Sequence, residues 1–292
     1  MNLSGKVIFM SGGSRGIGLA MAKRFARDGA NIVIAAKTDK PHPKLEGTIH
    51  TAAAEIDAAG GKALGVVCDI RDEANVKRAV DEAVQRFGGI DICINNASAI
   101  SLTGALATPM KKYDLMNGVN ARGTFLVSQT CLPYLLKSDN PHILNIAPPL
   151  DMHPRWFKMH TAYTMAKYGM SMCTLGMAAE FAGKVGVNSL WPMTAIDTAA
   201  VRNVLGGDAM AKMSRLPQIM ADAAYLVLGQ EAQSFTGNFV IDELILAENG
   251  TADMTQYQQA GYDGPLMADF FVSSEILAQS KSHIIQSPAY AE

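Results

Sequence analysis

Short apolar runs alternate with longer segments of helical periodicity along most of the chain. Apolar positions recur at helical spacing over Ile17–Arg27, Glu73–Phe87 and Tyr113–Leu136. Runs rich in β-branched residues predict strands at Lys6–Met10, Asn31–Ala36, Ala63–Cys68, Ile90–Ile94, His142–Ala147, Val185–Leu190 and Asn238–Ile241. Because strands that are apolar throughout are covered on both faces, the alternation predicts an α/β fold with a doubly wound, seven-stranded parallel sheet.

The alternation stops after Asp242. Residues 243–292 carry scattered glycines and prolines and one apolar cluster, PLMADFF. Neither a repeat nor a low-complexity linker divides the residues before them. We therefore expect one domain over residues 1–242 and a C-terminal tail, residues 243–292, that packs on the same domain.

The first predicted strand runs directly into a glycine-rich turn, SGGSRGIG at residues 11–18, and a helix follows at once. Glycines at such a junction permit a tight turn and bring backbone amides close to a pyrophosphate at the N-terminus of the helix. Glycines present for turn geometry alone are the alternative, but the place of the turn favours a dinucleotide site of the Rossmann type. The candidate cofactor contacts in this turn are Gly12, Ser14, Arg15, Gly16, Ile17 and Gly18.

The second predicted strand is followed by a cation, Lys37. A free ribose 2′-hydroxyl usually meets an acidic side chain at this point, whereas a 2′-phosphate needs a cation. With Arg15 of the glycine turn expected nearby, Lys37 favours NADP(H) over NAD(H); a solvated lysine at a strand end is the alternative. Lys40, His42 and Lys44 follow in a loop, either as further phosphate contacts or as ordinary surface residues.

A tyrosine and a lysine, Tyr163 and Lys167, stand four positions apart in a segment predicted to be helical. This spacing places the phenol and the ammonium on one face of the helix, one turn apart. A nearby cation stabilises a phenolate, so the tyrosine can exchange its proton with a carbonyl oxygen. Such a pair is common by chance, but together with the glycine turn it predicts acid–base chemistry beside a bound dinucleotide.

Composition and charge exclude several classes of function. The 292 residues contain 25 Lys and Arg against 27 Asp and Glu, and a formal net charge of −2 argues against nucleic acid or an anionic membrane as a bulk partner. The cysteines are scattered without CxxC spacing, so we expect reduced, buried thiols, no metal site and a cytoplasmic location. No apolar run reaches the ~18 residues of a membrane span. The N-terminal residues show no signal-peptide pattern.

These motifs resemble those of the classical short-chain dehydrogenase/reductase family over about residues 5–242. SGGSRGIG stands where the family has TGxxxGxG, and CDI at 68–70 resembles the family's segment after the third strand. NNAS at 95–98 is similar to the family's NNAG, and VNARG at 119–123 resembles the segment that carries the catalytic asparagine. WPMT at 191–194 corresponds to the segment beside the nicotinamide. The resemblance implies a hydride transfer between nicotinamide and the carbonyl or alcohol carbon of a small molecule.

The resemblance also implies roles for individual residues. Tyr163 would be the acid/base, Lys167 would lower its pKa and hold the ribose, and Asn120 would support the proton relay. Further cofactor contacts are expected from Asp69, Ile70, Asn96, Ala97, Pro192, Thr194 and Ile196. In the family, the long helices that contain these catalytic positions pair across a two-fold axis, so a homodimer or homotetramer is implied.

The sequence departs from the family where a serine hydroxyl normally meets the substrate oxygen. Ala147 and Pro148 occupy the two candidate positions after the fifth strand, and neither carries a donor. Loss of such a donor typically costs ~10²–10³ in rate. Three alternatives stay open: another group substitutes, with Ser98 and Ser101 as candidates; the activity is weak; or the protein binds cofactor and catalyses little.

Apolar residues near the Tyr–Lys helix suggest a pocket for an apolar, lipid-like substrate. Met165, Met170, Met172 and Met177 adapt to irregular shapes, but core packing or a subunit contact is the favoured alternative. Trp156 and Phe157 are candidates for the pocket wall or for simple packing. Residues 194–216 follow the sixth strand and contain a Gly206-Gly207 pair, so they form either a mobile lid or ordinary surface helices.

Overall fold

The computed structural model describes residues 2–43 and 45–290 of the chain. One sheet contains the strands β1 Val7–Ser11, β2 Asn31–Ala36, β3 Lys62–Val67, β4 Ile92–Asn95, β5 His142–Asn145, β6 Gly186–Trp191 and β7 Phe239–Ile241. The strands lie in the order β3-β2-β1-β4-β5-β6-β7, and all neighbours are parallel. The predicted fold is therefore confirmed. The strand order reverses between β1 and β4, which opens a crevice outside the carboxyl ends of these strands.

Helices cover both faces of this sheet. In the described residues they are α1 Gly16–Ala26, α2 Ile49–Ala58, α3 Glu73–Phe87, α4 Met110–Met116, α5 Gly123–Leu135, α6 Thr161–Glu180, α7 Gly207–Lys212, α8 Gln218–Leu228, α9 Asp242–Glu248 and α10 Ser274–Leu277. Ile8 and Met10 of β1 pack in the layer that contains α1 and α8, whereas Val7 and Phe9 pack in the layer that contains α3 and α5. This two-sided burial is the reason why the strand is apolar throughout.

The helix that carries Asn120 is interrupted. The apolar pattern predicts one helix over Tyr113–Leu136, but in the structure α4 passes into a wider, π-helical turn at Asn117–Arg122 before α5 begins. The Asn120 amide is bound at this turn: its oxygen accepts from the Ala99 N–H (2.8 Å) and its nitrogen donates to the Ala99 carbonyl (3.0 Å). A π-helical turn accommodates an extra residue and often marks a functional site.

Part of the chain after β7 packs against the segment that follows β6. Two short strands, β8 Leu266–Met267 and β9 Ile284–Ile285, pair in parallel. Glu243 of α9 accepts from the buried Arg215 guanidinium (2.5 Å) and from the Ser280 hydroxyl (2.5 Å), so an internal ion pair ties this part of the chain together. Within residues 2–43 and 45–290, no helix has the length and apolar content needed to cross a bilayer.

Candidate active site

The turn between β1 and α1 exposes backbone in place of side chains. Gly12 adopts a left-handed backbone (φ 74°), and a Cβ there would lie 2.7 Å from the Ala97 Cα. A Cβ on Gly18 would lie 2.8 Å from the Gly12 carbonyl oxygen. Arg15 precedes Gly16, the first residue of α1, and makes no capping bond with its side chain. The first-turn amides of α1 therefore remain available to an anion, as a dinucleotide pyrophosphate requires.

A cavity of about 530 Å³ opens over this turn. Its walls come from the carboxyl ends of β1 to β4 and from residues 198–204. The predicted cofactor contacts that line it are Gly12, Ser14, Arg15, Gly16, Ile17, Gly18, Lys37, Asp69, Ile70, Asn96 and Ala97. Residues from separate stretches of sequence thus meet at one cavity whose size lies within the ~300–1,000 Å³ of ligand sites. The backbone cradle fits a dinucleotide.

Charged residues flank the end of this cavity near β2. The Lys37 side chain is 57% exposed, and its Nζ lies 3.9 Å from Asp69 Oδ2. Arg15 donates to the Gly47 carbonyl (2.7 Å), while its buried Nε has no partner among the described residues. Hydrogen bonds from Arg71, with a smaller effect of Lys37, lower the pKa of Asp69 to about 2. The Asp69 carboxylate is therefore ionised at neutral pH and lies beside the solvent-exposed side chain of Lys37.

The loop after β2 brings two more predicted side chains near Lys37. Lys40 and His42 line a smaller cavity that shares Lys37 with the main one. Lys44 lies outside the described residues.

Tyr163 lies on α6 with only 4% of its surface exposed. Its ring packs edge-on against His160, with centroids 5.7 Å apart, and lies 6.3 Å from the ring of Phe271. Burial, followed by the effects of Asp269 and Tyr290, raises the pKa of Tyr163 well above that of a free tyrosine. In this structure Tyr163 is therefore a neutral phenol, and the lowering of its pKa that was expected from Lys167 is not observed, because burial dominates.

Lys167 follows one turn along α6 and is almost fully enclosed. Its Nζ donates to the Ile146 carbonyl (2.7 Å) and lies 4.8 Å from the centroid of the Trp191 ring. Burial lowers the pKa of Lys167 to about 7, and Asp269 opposes that shift. The cation that is needed to stabilise a Tyr163 phenolate is therefore itself close to losing its proton at neutral pH.

The third predicted catalytic residue, Asn120, is fully buried in the π-helical turn beside α6. A glycine permits this close packing, because a Cβ on Gly169 of α6 would lie 2.5 Å from the Ala121 Cβ. The structure thus brings the turn of Asn120 against the helix that carries Tyr163 and Lys167.

The position that departs from the family pattern is buried after β5. Ala147 has no side-chain donor, and the Pro148 carbonyl accepts a hydrogen bond from the Ser171 hydroxyl (2.7 Å). Ser98 lines the nucleotide cavity, and Ser101 is half-buried in the loop after β4. The structure therefore places Ser98 on the cofactor side.

Tyr163 and Lys167, also expected to contact the cofactor, do not line the cavity. The remaining predicted cofactor contacts, Pro192, Thr194 and Ile196, follow β6 and are likewise buried outside it. The C-terminal tail covers them. Backbone hydrogen bonds of 2.9 and 3.1 Å join residues 193–195 to residues 267–269. The half of the site that faces Tyr163 is consequently closed by residues from the end of the chain.

Trp156 is fully buried in an aromatic cluster and does not line the nucleotide cavity. Its Nε1 donates to Asp151 Oδ2 (2.6 Å), and its ring stacks on Tyr290 at 5.6 Å. Phe157 packs edge-on against a neighbouring tyrosine at 5.6 Å. Of the two alternatives for these side chains, packing describes their position in the structure.

The four methionines of α6 do not share one wall. Met170 and Met177 are buried in the interior, whereas Met165 and Met172 are 46% and 55% exposed on the outer surface. The helix therefore uses methionine for core packing on one side and presents an apolar surface on the other.

Residues that follow the segment expected to lie beside the nicotinamide also line the cavity. Residues 201–205 form a second π-helical turn, and α7 begins two residues later at Gly207, which has a left-handed backbone (φ 63°). Arg202 donates to Asp197 (2.7 Å), whose side chain is 11% exposed, and to the exposed Asp208 (3.1 Å). Val201 and Ala211 are buried and Gln259 donates to Asp197 (2.9 Å), so packing and hydrogen bonds hold this segment as well.

The tail contributes residues that the sequence did not single out. The Tyr290 hydroxyl lies 2.8 Å from His160 Nε2, and the Phe271 ring contacts the rings of Tyr163 and Trp191. Asp269 lies where it acts electrostatically on both Tyr163 and Lys167. The one available signal was the acid inside the apolar cluster PLMADFF. Tyr290 had none.

Comparison with known proteins agrees with this architecture. The family described as short chain dehydrogenase matches residues 6–206. The chain belongs to the short-chain dehydrogenase/reductase family. It is 61% identical over 274 residues to hydroxysteroid dehydrogenase-like protein 2 of Danio rerio, which covers 94% of this chain and 65% of the relative. The Homo sapiens protein of the same name is 57% identical over 280 residues, with 96% and 66% coverage.

The chain thus spans slightly less than two thirds of the length of these short-chain dehydrogenase/reductase relatives. Among solved structures, a short chain dehydrogenase of Mycobacterium thermoresistibile superposes with a TM-score of 0.88 at 49% identity, and the match covers 99% of both chains. A metagenomic short-chain oxidoreductase in complex with NADP gives a TM-score of 0.67 at 26% identity, with 82% of this chain and 97% of the other covered.

Proposed function

We propose that this chain is an NADP(H)-dependent oxidoreductase that transfers a hydride between the nicotinamide and a carbonyl or alcohol carbon of an apolar, lipid-like small molecule. The observation that carries the proposal is the pairing of Tyr163 and Lys167 on α6, which packs against the turn of Asn120. Val119 of this turn and Ala99, the hydrogen-bond partner of Asn120, line the backbone cradle of dinucleotide size. A bound nicotinamide dinucleotide supplies the hydride chemistry.

The residues of this chain provide the rest. Tyr163 donates a proton to the carbonyl oxygen in reduction and takes it back in oxidation. Lys167 supplies the positive charge that favours the Tyr163 phenolate and a donor for the ribose. Asn120 fixes the loop of Ala99 and supports the relay that restores the proton.

The preference for NADP(H) is supported by two cations at the β2 end of the cavity. Lys37 stands where an NAD-selective site usually has an acid, and Arg15 has a buried, unpartnered Nε among the described residues. A 2′-phosphate would satisfy both. The structural relative solved with NADP is in keeping with this preference.

The substrate class is supported by what surrounds Tyr163. Rings of the aromatic cluster pack around it, and the relatives at up to 61% identity are named hydroxysteroid dehydrogenase-like proteins. An apolar molecule with one carbonyl would find partners of matching polarity there.

We further propose that the chain forms a homodimer or homotetramer through α5 and α6. Phe125 of α5 and Met172 and Leu175 of α6 are 50%, 55% and 54% exposed, although large apolar side chains usually cluster away from water. The four cysteines are free thiols, which supports a reducing, cytoplasmic location.

A screen of NADPH oxidation against ketones and acyl-chain carbonyls, run from pH 6 to 9, tests the proposed reaction. We expect at least one carbonyl to accelerate NADPH loss above the rate without carbonyl. Tight NADPH binding with no acceleration by any carbonyl would contradict the reaction.

A second candidate function, cofactor binding with little catalysis, is favoured by the buried Ala147, which leaves no hydroxyl at the usual serine position. Ala147→Ser separates the two. If a missing donor limits the rate, the serine variant should react ~10²–10³ faster. An unchanged rate in an active protein would mean that another group already serves the substrate oxygen.

A further inference from the structure

The C-terminal tail pairs through its backbone with the segment that follows β6. The Ala195 N–H donates to the Met267 carbonyl (2.9 Å), and the Asp269 N–H donates to the Met193 carbonyl (3.1 Å). These bonds fix the backbone of Asp269 against the segment that follows β6. Asp269 therefore sits at the junction between the tail and the proposed nicotinamide segment.

Trp191 joins this junction to the buried lysine. Its indole Nε1 donates to the carbonyl of Phe270, the residue next to Asp269 (2.7 Å). The face of the same ring receives Lys167, whose Nζ lies 4.8 Å from the ring centroid. The Trp191 side chain thus contacts both the backbone of the tail and the ammonium of Lys167.

The turn after Asp269 is strained and firmly packed. Phe271 has a left-handed backbone (φ 67°), which is costly for a residue with a bulky side chain. It is fully buried, with its ring 5.3 Å from Tyr168, 6.0 Å from Trp191 and 6.3 Å from Tyr163. Strain of this kind persists only where packing enforces it, and it clusters at functional sites.

We propose that Asp269 is a positioning residue that acts through Lys167: it is the counter-charge that keeps this buried ammonium protonated beside Tyr163. The inference rests on the proposed function, in which a charged Lys167 assists Tyr163 and holds the ribose. It adds to that function a residue from the tail, outside the nucleotide-binding fold.

The charged and titratable groups around the pair come from three elements. Lys167 and Tyr163 lie on α6, Asp269 lies on the tail, and Asp242 of α9 faces Asp269. Among the described residues, Asp269 is the charged group that acts appreciably on Lys167. The His160 ring contacts the Tyr163 ring, and the Tyr290 hydroxyl lies within hydrogen-bond distance of His160 Nε2.

Electrostatics support this geometry. Burial lowers the pKa of Lys167 to about 7, and Asp269 raises it against that effect. Burial also raises the pKa of Asp269 to about 7, while the Phe270 N–H and Lys167 lower it and Asp242 raises it. Lys167 is almost fully buried, Asp269 is half-buried, and no ion pair within 4 Å joins the two among the described residues. Asp269 therefore acts on the ammonium through space, and its removal leaves the effect of burial on Lys167 unopposed.

Asp269→Asn tests the proposal with little change in shape. Asparagine keeps the side-chain volume and the oxygen that accepts the Phe270 N–H, but not the charge. Asp263→Asn, which alters an exposed acid of the same tail, is the matched control. Asp269→Glu retains the charge and is expected to behave as the wild type.

The first measurement uses the cofactor-free protein. Urea unfolding of the wild type, Asp269→Asn, Lys167→Met and the double variant at pH 7 forms a double-mutant cycle. We expect the double variant to lose less stability than the two single variants together. Additive losses would overturn the proposal, and this result does not depend on any enzymatic activity.

The second measurement is the affinity for NADPH, followed by its fluorescence between pH 6 and 9. We expect the affinity of the wild type to fall as Lys167 loses its proton. In Asp269→Asn the pH midpoint of this fall in NADPH affinity should lie about one pH unit lower, which is a tenfold change in the acid dissociation constant of Lys167. In Asp263→Asn the midpoint should stay at the wild-type pH. A midpoint shared by the wild type and Asp269→Asn would overturn the proposal. Failure of the wild type to bind NADPH would contradict the proposed function instead, and the unfolding cycle would still decide the role of Asp269.

Discussion

Gly12→Ala tests the close approach on which the cofactor cradle depends. Gly12 has a left-handed backbone (φ 74°), and an added Cβ would lie 2.7 Å from Cα, 2.9 Å from N and 3.0 Å from Cβ of Ala97. Two of these atoms are backbone atoms at the end of β4, so no side-chain rotation can relieve the contact. The turn and the Ala97 segment would have to separate by about half an ångström.

Gly5→Ala isolates this contact from backbone strain. Gly5 has nearly the same φ (73°), but an added Cβ would meet no atom within 4 Å. Both variants lose about 1–2 kcal/mol to the left-handed conformation. Only Gly12→Ala adds the overpacking cost of about 1–3 kcal/mol. The difference between the two free energies of unfolding therefore measures the contact with Ala97.

Urea unfolding and NADPH fluorescence titration give the two readouts. We expect Gly12→Ala to be less stable than Gly5→Ala by about 1–3 kcal/mol. We also expect it to bind NADPH at least about tenfold more weakly, a loss of about 1.4 kcal/mol in binding free energy, because the displaced turn no longer presents its amides to the pyrophosphate. Gly5→Ala should keep the wild-type affinity. Equal stability and equal affinity of the two variants would refute the argument that contact with Ala97 requires glycine at position 12.

Three further predictions concern the cofactor, acid stability and assembly. Lys37→Ala should weaken NADPH binding about tenfold and leave NADH binding unchanged in calorimetric titration; an equal loss for both dinucleotides would show that Lys37 does not meet a 2′-phosphate. Burial lowers the pKa of His142 from 6.5 to about 4, so the unfolded chain takes up this proton first and stability falls as the pH drops from 6.5 through 4. His142→Gln should therefore lose about 3 kcal/mol less than the wild type over that range in urea unfolding, and identical pH profiles would contradict the shift. Leu175→Glu should convert the oligomer to a monomer in sedimentation experiments, whereas Leu106→Glu, at a fully exposed position, should not; an intact oligomer in Leu175→Glu would place the interface elsewhere.

Strands and helices that follow local rules could be predicted closely. The bounds of Asn31–Ala36 and Glu73–Phe87 coincide with β2 and α3, because apolar alternation and periodicity are properties of the segment itself. Strand β5 ends at Asn145, two residues before its predicted end, where the Ala147 N–H turns back to the Asn145 carbonyl (2.9 Å). The apolar pattern of this segment gave no signal of that turn.

Features that depend on distant partners could not be predicted from local pattern. The π-helical turn at Asn117–Arg122 accompanies a pair of hydrogen bonds between Asn120 and Ala99, which lies 21 positions earlier. The place of Asp269 depends on an isolated bridge between Thr194 and Ala268 and on short backbone pairings of the tail. Such contacts leave no periodic signal, so the motifs located the cofactor side of the site and missed the side that the tail closes.

Tyr163→Phe tests the central claim that the Tyr163 hydroxyl moves the proton of a carbonyl reduction. Tyr168→Phe is the matched control, because Tyr168 is a buried tyrosine of the same helix whose hydroxyl donates to the Asp151 carbonyl (2.5 Å). With a carbonyl that the wild type reduces, kcat for NADPH oxidation should fall by about 10²–10⁴ in Tyr163→Phe. It should stay within a few-fold in Tyr168→Phe, and both variants should bind NADPH as the wild type does. Wild-type turnover by Tyr163→Phe would contradict the account.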